Sequence, residues 1–211
     1  VQRQNLLQVK AETSNKILKK LHPDATIALK FKNNFELLVS VILSAQCTDK
    51  KVNQITPALF KRYRTVKAYA EADPREMEAL VHSCGFYRAK TRNIIGAAKY
   101  ILEKHKGKVP RTMAEILHVP GVARKTGNVV LGNAYGVVEG IAVDTHVMRL
   151  SRLFGLTKHS DPVKIERDLM ALLPKKEWFP FTYRLIDYGR AHCTARCKHE
   201  TCPLRRYIAH R

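Results

Sequence analysis

At 211 residues the chain is long enough to bury a sizeable core, as one large domain or two small ones. Its 38 lysines and arginines against 18 acidic residues leave a formal net charge of +20, an excess that repels itself unless it meets a polyanion. That balance points to nucleic acid ahead of an acidic membrane surface, and a helical membrane span is excluded, since the longest apolar run, Leu37 to Ala45, falls well short of the roughly 20 residues that cross a bilayer.

No stretch reads as a secretory signal. Five cysteines, an odd number with three crowded near the end, argue against a disulfide framework and for a reducing, cytoplasmic and nucleoid-associated setting. From Asn5 to Leu21, Leu6, Leu7, Val9, Ile17, Leu18 and Leu21 suit a helix with a basic outer face, ended by His22-Pro23. Phe35 to Ala45 reads as a helix buried nearly all round. Helices follow at about 49–63, 74–83, 88–105, 111–118, 123–135, 144–154, 162–173 and 178–190, with turns at Asp73-Pro74, Gly85, Gly107, Pro120-Gly121 and Gly136. Ile141 to Val143 is the only hint of a strand and is too short to count, so the chain reads as all-α.

The pattern is densest from Leu117 to Met148. Pro120-Gly121 breaks one apolar helical pattern and a new one, with Val122, Thr126, Val129 and Val130 at helical spacing, starts within three residues. A glycine in so tight a turn lets a partner approach the main chain, and the free N–H groups opening the second helix make a seat for a phosphate. Lys125 lies in the first turn beside that seat, and Asp144, nineteen residues on, stands before T-H-V-M-R in the position of an N-cap.

V-P-G-V-A-R-K-T-G-N-V-V-L followed by I-A-V-D-T-H-V resembles the helix-hairpin-helix and acidic loop of the endonuclease III family of DNA glycosylases. The resemblance extends to S-A-Q-C-T-D at 44–49, G-F-Y-R-A-K at 85–90 and the cysteine-bearing tail after Gly189-Arg190, in the family's order and spacing. One departure is Ala123, where the family often has a second glycine. The resemblance implies a six-helix bundle carrying the hairpin over 28–138 and a discontinuous helical domain of 1–27 with 139–211, with a DNA cleft between them onto which the hairpin and Asp144 face.

It also implies a base-excision-repair glycosylase with abasic-site lyase activity, acting as a monomer on oxidised pyrimidines in duplex DNA. Lys125 is then the nucleophile that displaces the base at the anomeric carbon, leaving an imine open to β-elimination, and the amine must be unprotonated to attack. Asp144 stabilises the developing oxocarbenium-like charge and helps move protons, in addition to capping its helix. Gln46 enters the gap left by the flipped nucleotide, and Phe86 stacks as a wedge in the opened step. Arg88, Lys90 and Arg92 contact phosphates as solvated cations, the hairpin residues Pro120, Gly121, Val122, Ala123 and Arg124 grip the strand, and His146 either touches DNA or only packs.

Many family members hold a [4Fe–4S] cluster through C-x6-C-x2-C-x5-C in the tail, where this chain has C-x3-C-x4-C. Cys193 and Cys202 match the first and third ligands, Cys197 and His199 compete for the second, and Ile208 occupies the fourth. An unusual cluster, a zinc ion on Cys193, Cys197, His199 and Cys202, and a metal-free tail all remain open; Cys47 and Cys84 belong to the other bundle. Two rival activities are a monofunctional mismatch or damaged-base glycosylase, against which Lys125 speaks, and a non-catalytic helix-hairpin-helix DNA-binding protein.

Overall fold

The computed structural model describes the backbone of residues 2–208 and the side chains from residue 5 onward. In chain order the α-helices are α1 (Gln2–Leu21), α2 (Asn34–Ser44), α3 (Asp49–Arg62), α4 (Val66–Ala70), α5 (Pro74–Val81), α6 (Tyr87–His105), α7 (Met113–Ile116), α8 (Arg124–Tyr135), α9 (Thr145–Leu153), α10 (Pro162–Leu172) and α11 (Lys175–Ala191), with 3₁₀ turns at His82–Cys84 and Arg205–Tyr207. No strand occurs among the described residues, and 141–143 has no regular secondary structure. The chain divides into two compact units, Ala28–Val137 and, discontinuously, Val1–Ile27 with Val138–Arg211.

The unit Ala28–Val137 is built on α2. Its sequence is apolar on every side, and Phe35, Leu37, Leu38, Val39, Ser40, Val41, Ile42 and Leu43 are all buried, packed against α3, α6 and α8. Asn33 stops the chain from entering that helix earlier by accepting hydrogen bonds from Phe35 N and Glu36 N. Two elements depart from the sequence expectation. Thr65 caps the five-residue helix α4, which holds Tyr69 against Phe35 and was invisible as a period because it is barely one turn long. The helix expected at 111–118 shrinks to α7, because Thr112 caps it on one side and the turn through Val119 ends it on the other.

The second unit has its core in Leu18, Leu150, Phe154, Leu169, Phe181, Leu185 and Tyr188, with Cys193, Cys202 and Leu204 of the tail joined to it. Helix α11 starts three residues earlier than expected and carries Pro180 inside it. On α1 the buried stripe is Ala11, Ser14, Asn15 and Leu18, whereas Leu6 and Val9 are 70% and 59% exposed, against the sequence expectation. Polar Asn15 outcompetes those leucine and valine positions for the inward face because α11 binds it. Its amide donates to Glu177 Oε2 at 2.9 Å, and Arg184 donates to its carbonyl oxygen at 2.9 Å and to Glu177 at 2.5 Å. Burial pushes the Glu177 carboxyl up, but the hydrogen bonds from Asn15 and Arg184 outweigh it and hold the group below the ordinary carboxylate range.

Candidate active site

Gly121 is the pivot of the hairpin. Its φ of +80° is a left-handed conformation that favours glycine, and a Cβ there would lie 2.8 Å from Cβ of Asn93 on α6. Pro120 packs beside it, within 3.2 Å of where a Cβ would stand on Gly96. The buried Val122 anchors the far side of the turn, and its N–H donates to Val119 O at 3.1 Å. The hairpin is thereby held against the face of α6 in one arrangement.

Helix α8 starts at Arg124 with Ala123 as its N-cap, a residue with no side-chain acceptor, and with no acidic residue in its first turn. Arg124 and Lys125 instead place two cations at the positive end of the helix, an arrangement that costs about 0.3–1 kcal/mol each when no anion is present. Lys125 is exposed, and its amine carries no hydrogen bond or ion pair within Ala28–Val137. An uncapped, cationic helix start behind a glycine turn offers N–H groups and charge to a phosphate and an available amine next to it.

Two exposed residues of the same unit are held in left-handed backbone. Gln46 has φ +51° in the loop between α2 and α3; Phe86 has φ +47°, follows Gly85 at +67°, and is 66% exposed. Such conformations cost of order 1–3 kcal/mol for a residue with a Cβ. Gln46 neither enters the core nor caps α3, a task taken by Thr48, and Phe86 is not a core residue. Cys47 and Cys84, one from each of these loops, are neighbours, and burial beside the Cys47 thiol pushes the Cys84 thiol up to about 11. Sequence reasoning set these two cysteines aside and missed their proximity.

Lys90 requires a correction. Expected as a solvated phosphate contact, it is 4% exposed and its Nζ donates to Cys84 O at 2.8 Å, with burial lowering its pKa from the ordinary lysine value. The amine spans from α6 to the turn that leads into Phe86. The signal lay in the helix period, since position 90 is four residues before Ile94 on the stripe that continues through Ile95, Ala98 and Ile101. Arg88, stacked 4.9 Å over the Tyr87 ring, and Arg92 are both exposed on the same helix.

In the other unit Asp144 caps α9, accepting from Val147 N at 2.8 Å, and is half-buried. His146 is half-buried, and its Nδ1 lies 2.5 Å from where a Cβ on Gly189 would stand, so α9 and α11 approach at that point. The tail donors Cys193, Cys197, His199 and Cys202 gather with their ligand atoms within 4.8 Å of one another and could hold a metal ion. Ile208, the fourth slot of the cluster pattern, packs against the apolar core.

Residues 39–175 match the model of the HhH-GPD superfamily of base excision DNA repair proteins. The chain is 54% identical to endonuclease III of Synechocystis sp., over 85% of this chain and 82% of the relative. Against endonuclease III of Bacillus subtilis it is 44% identical, over 87% and 84%. Its fold superposes on a trapped endonuclease III–DNA covalent intermediate with a TM-score of 0.89 at 42% identity, covering 93% of both chains. With those matches and the hairpin's geometry in hand, the chain belongs to the endonuclease III family of helix-hairpin-helix DNA glycosylases and abasic-site lyases.

Proposed function

We propose that this DNA glycosylase and abasic-site lyase, which removes oxidised pyrimidines, uses Lys125 as its nucleophile and Asp144 as its charge-stabilising carboxylate. The lone pair of Lys125 Nζ forms a bond to the anomeric carbon as the glycosidic bond breaks; the base leaves with the electron pair of the broken bond and takes up a proton, and the attached amine gives one up. Opening of the sugar ring gives an imine, and loss of a proton from the neighbouring sugar carbon expels the 3′ phosphate. Asp144 offsets positive charge developing on the sugar and accepts or returns the protons that move.

The observation that carries the reading is the exposed amine in the first turn of an uncapped helix, directly behind Gly121. The strand's phosphate takes the seat at the start of α8, which fixes the sugar near the amine. Gln46 supplies an amide to the base left without its partner, and Phe86 stacks into the opened step, which accounts for holding both side chains outward on strained backbone.

Borohydride added during turnover on an oligonucleotide bearing one oxidised pyrimidine tests this. The wild-type chain becomes covalently attached to the DNA, and Lys125→Ala does not, while still binding. Trapping undiminished in Lys125→Ala would remove the assignment.

A further inference from the structure

The family pattern in the tail serves a cluster in which each of four cysteines binds a different iron at the corner of a cube, so their sulfurs stand roughly 6 Å apart. The donors here are closer. Cys197 Sγ lies 3.2 Å from Cys202 Sγ, and His199 Nδ1 lies 3.5 Å from Cys193 Sγ and 3.7 Å from Cys202 Sγ. All four ligand atoms fall within 4.8 Å. A tetrahedral ion with sulfur at about 2.3 Å and nitrogen at about 2.0 Å needs sulfur–sulfur edges of about 3.8 Å and sulfur–nitrogen edges of about 3.5 Å. His199 reaches the sulfurs from a backbone with φ +67°, which a histidine seldom adopts.

We propose that Cys193, Cys197, Cys202 and Nδ1 of His199 bind a single zinc ion in place of the family's iron–sulfur cluster. The cluster does not fit this chain, because its fourth corner falls on Ile208, an apolar side chain with no ligand atom that is partly buried against the core.

The surroundings suit such an ion. Three thiolates on a divalent metal leave one negative charge, and Arg149 on α9 points NH1 at Cys193 Sγ from 3.7 Å while donating through NH2 to Cys193 O at 2.6 Å. The His199 N–H donates to Cys197 Sγ at 3.3 Å. Leu204, just beyond the last ligand, is buried, and its N–H donates to the Tyr188 hydroxyl oxygen at 3.2 Å. Only a few tail residues reach the core, so the metal–ligand bonds fasten the segment between α11 and Leu204 to the rest of its unit.

Zinc binding in the tail is independent of the Lys125 chemistry and is read without catalysis. Full-length protein without a histidine tag, purified and analysed for metals and acid-labile sulfide, is expected to be colourless with one zinc per chain. Cobalt(II) added to the zinc-depleted chain is expected to give the intense visible bands of a tetrahedral thiolate site. His199→Ala weakens zinc binding by more than about tenfold, and His199→Cys retains one zinc. Four irons with four sulfides per chain, a metal-free chain whose melting temperature ignores added zinc, or an undiminished zinc content in both His199→Ala and Cys197→Ser would each overturn the assignment. Should a variant fail to fold, the wild-type cobalt spectrum decides by itself.

Discussion

Two lysines thirty-five positions apart carry opposite lessons. Lys125 stands exposed at a helix start, and Lys90 is buried and bound to Cys84 O. The salt dependence of DNA binding separates solvated cations from buried ones, because only a phosphate contact releases a counterion. Arg88→Ala and Arg92→Ala should each reduce the slope of log K against log salt by about 1, whereas Lys90→Met should leave the slope unchanged. Filter binding or fluorescence anisotropy across a salt series reads this directly. Asp144 allows a parallel separation of roles: Asn is as good an N-cap as Asp, so Asp144→Asn should keep the melting temperature while turnover falls sharply, and Asp144→Ala should in addition lose about 1 kcal/mol of stability. The cap was legible in the sequence because Asp before an amphipathic run has one local meaning. The burial of Lys90 was legible only as a position on a stripe, and its polar residue type hid it.

Among the helices, capping divides the elements. α2, α3, α4, α5, α7, α9 and α10 each have a side-chain acceptor at the N-cap. α6 and α8 have none and no acid in the first turn, and these are the helices that begin at Phe86 and at the hairpin. Under the proposed function, local rules are broken where a phosphate backbone is the missing partner. Gly121→Ala strikes the same place: the left-handed backbone and the 2.8 Å approach to Asn93 both oppose it, and it should destabilise by about 1–3 kcal/mol and weaken DNA binding. Chemical denaturation and a binding isotherm check the two parts.

The bond between α1 and α11 gives a pH prediction. The folded-state pKa of Glu177 is depressed, so its contribution is fully present above the unfolded value of about 4.3 and is lost as pH falls through the lower folded value. Glu177→Gln should cost about 3 kcal/mol near neutrality and flatten the fall of melting temperature with acid. Nothing in the sequence announced this triad, since Asn15, Glu177 and Arg184 are far apart in the chain and none lies in a motif. α4 escaped for the opposite reason: it is too short to show a period.

Across the molecule, the net charge of +20 makes DNA binding a matter of ionic strength. If about five phosphates are engaged, raising salt from about 50 to about 200 mM should weaken binding roughly 10²–10³-fold. The all-helical fold was readable because helical spacing and turn residues recur through the chain, and the family because its motifs stand in a recognisable order. The tail was not settled by spacing, because C-x3-C-x4-C matches no single ligand set; the gathering of His199 with the three thiols, which supports the proposed single ion, is a property of the folded chain. The proposed chemistry turns on which amine meets the sugar. Digestion of the borohydride-reduced protein–DNA complex, followed by mass spectrometry of the modified peptide, locates that amine: a sugar remnant on Lys125 Nζ is the predicted result, and a remnant on any other amine, with Lys125 unmodified, contradicts it.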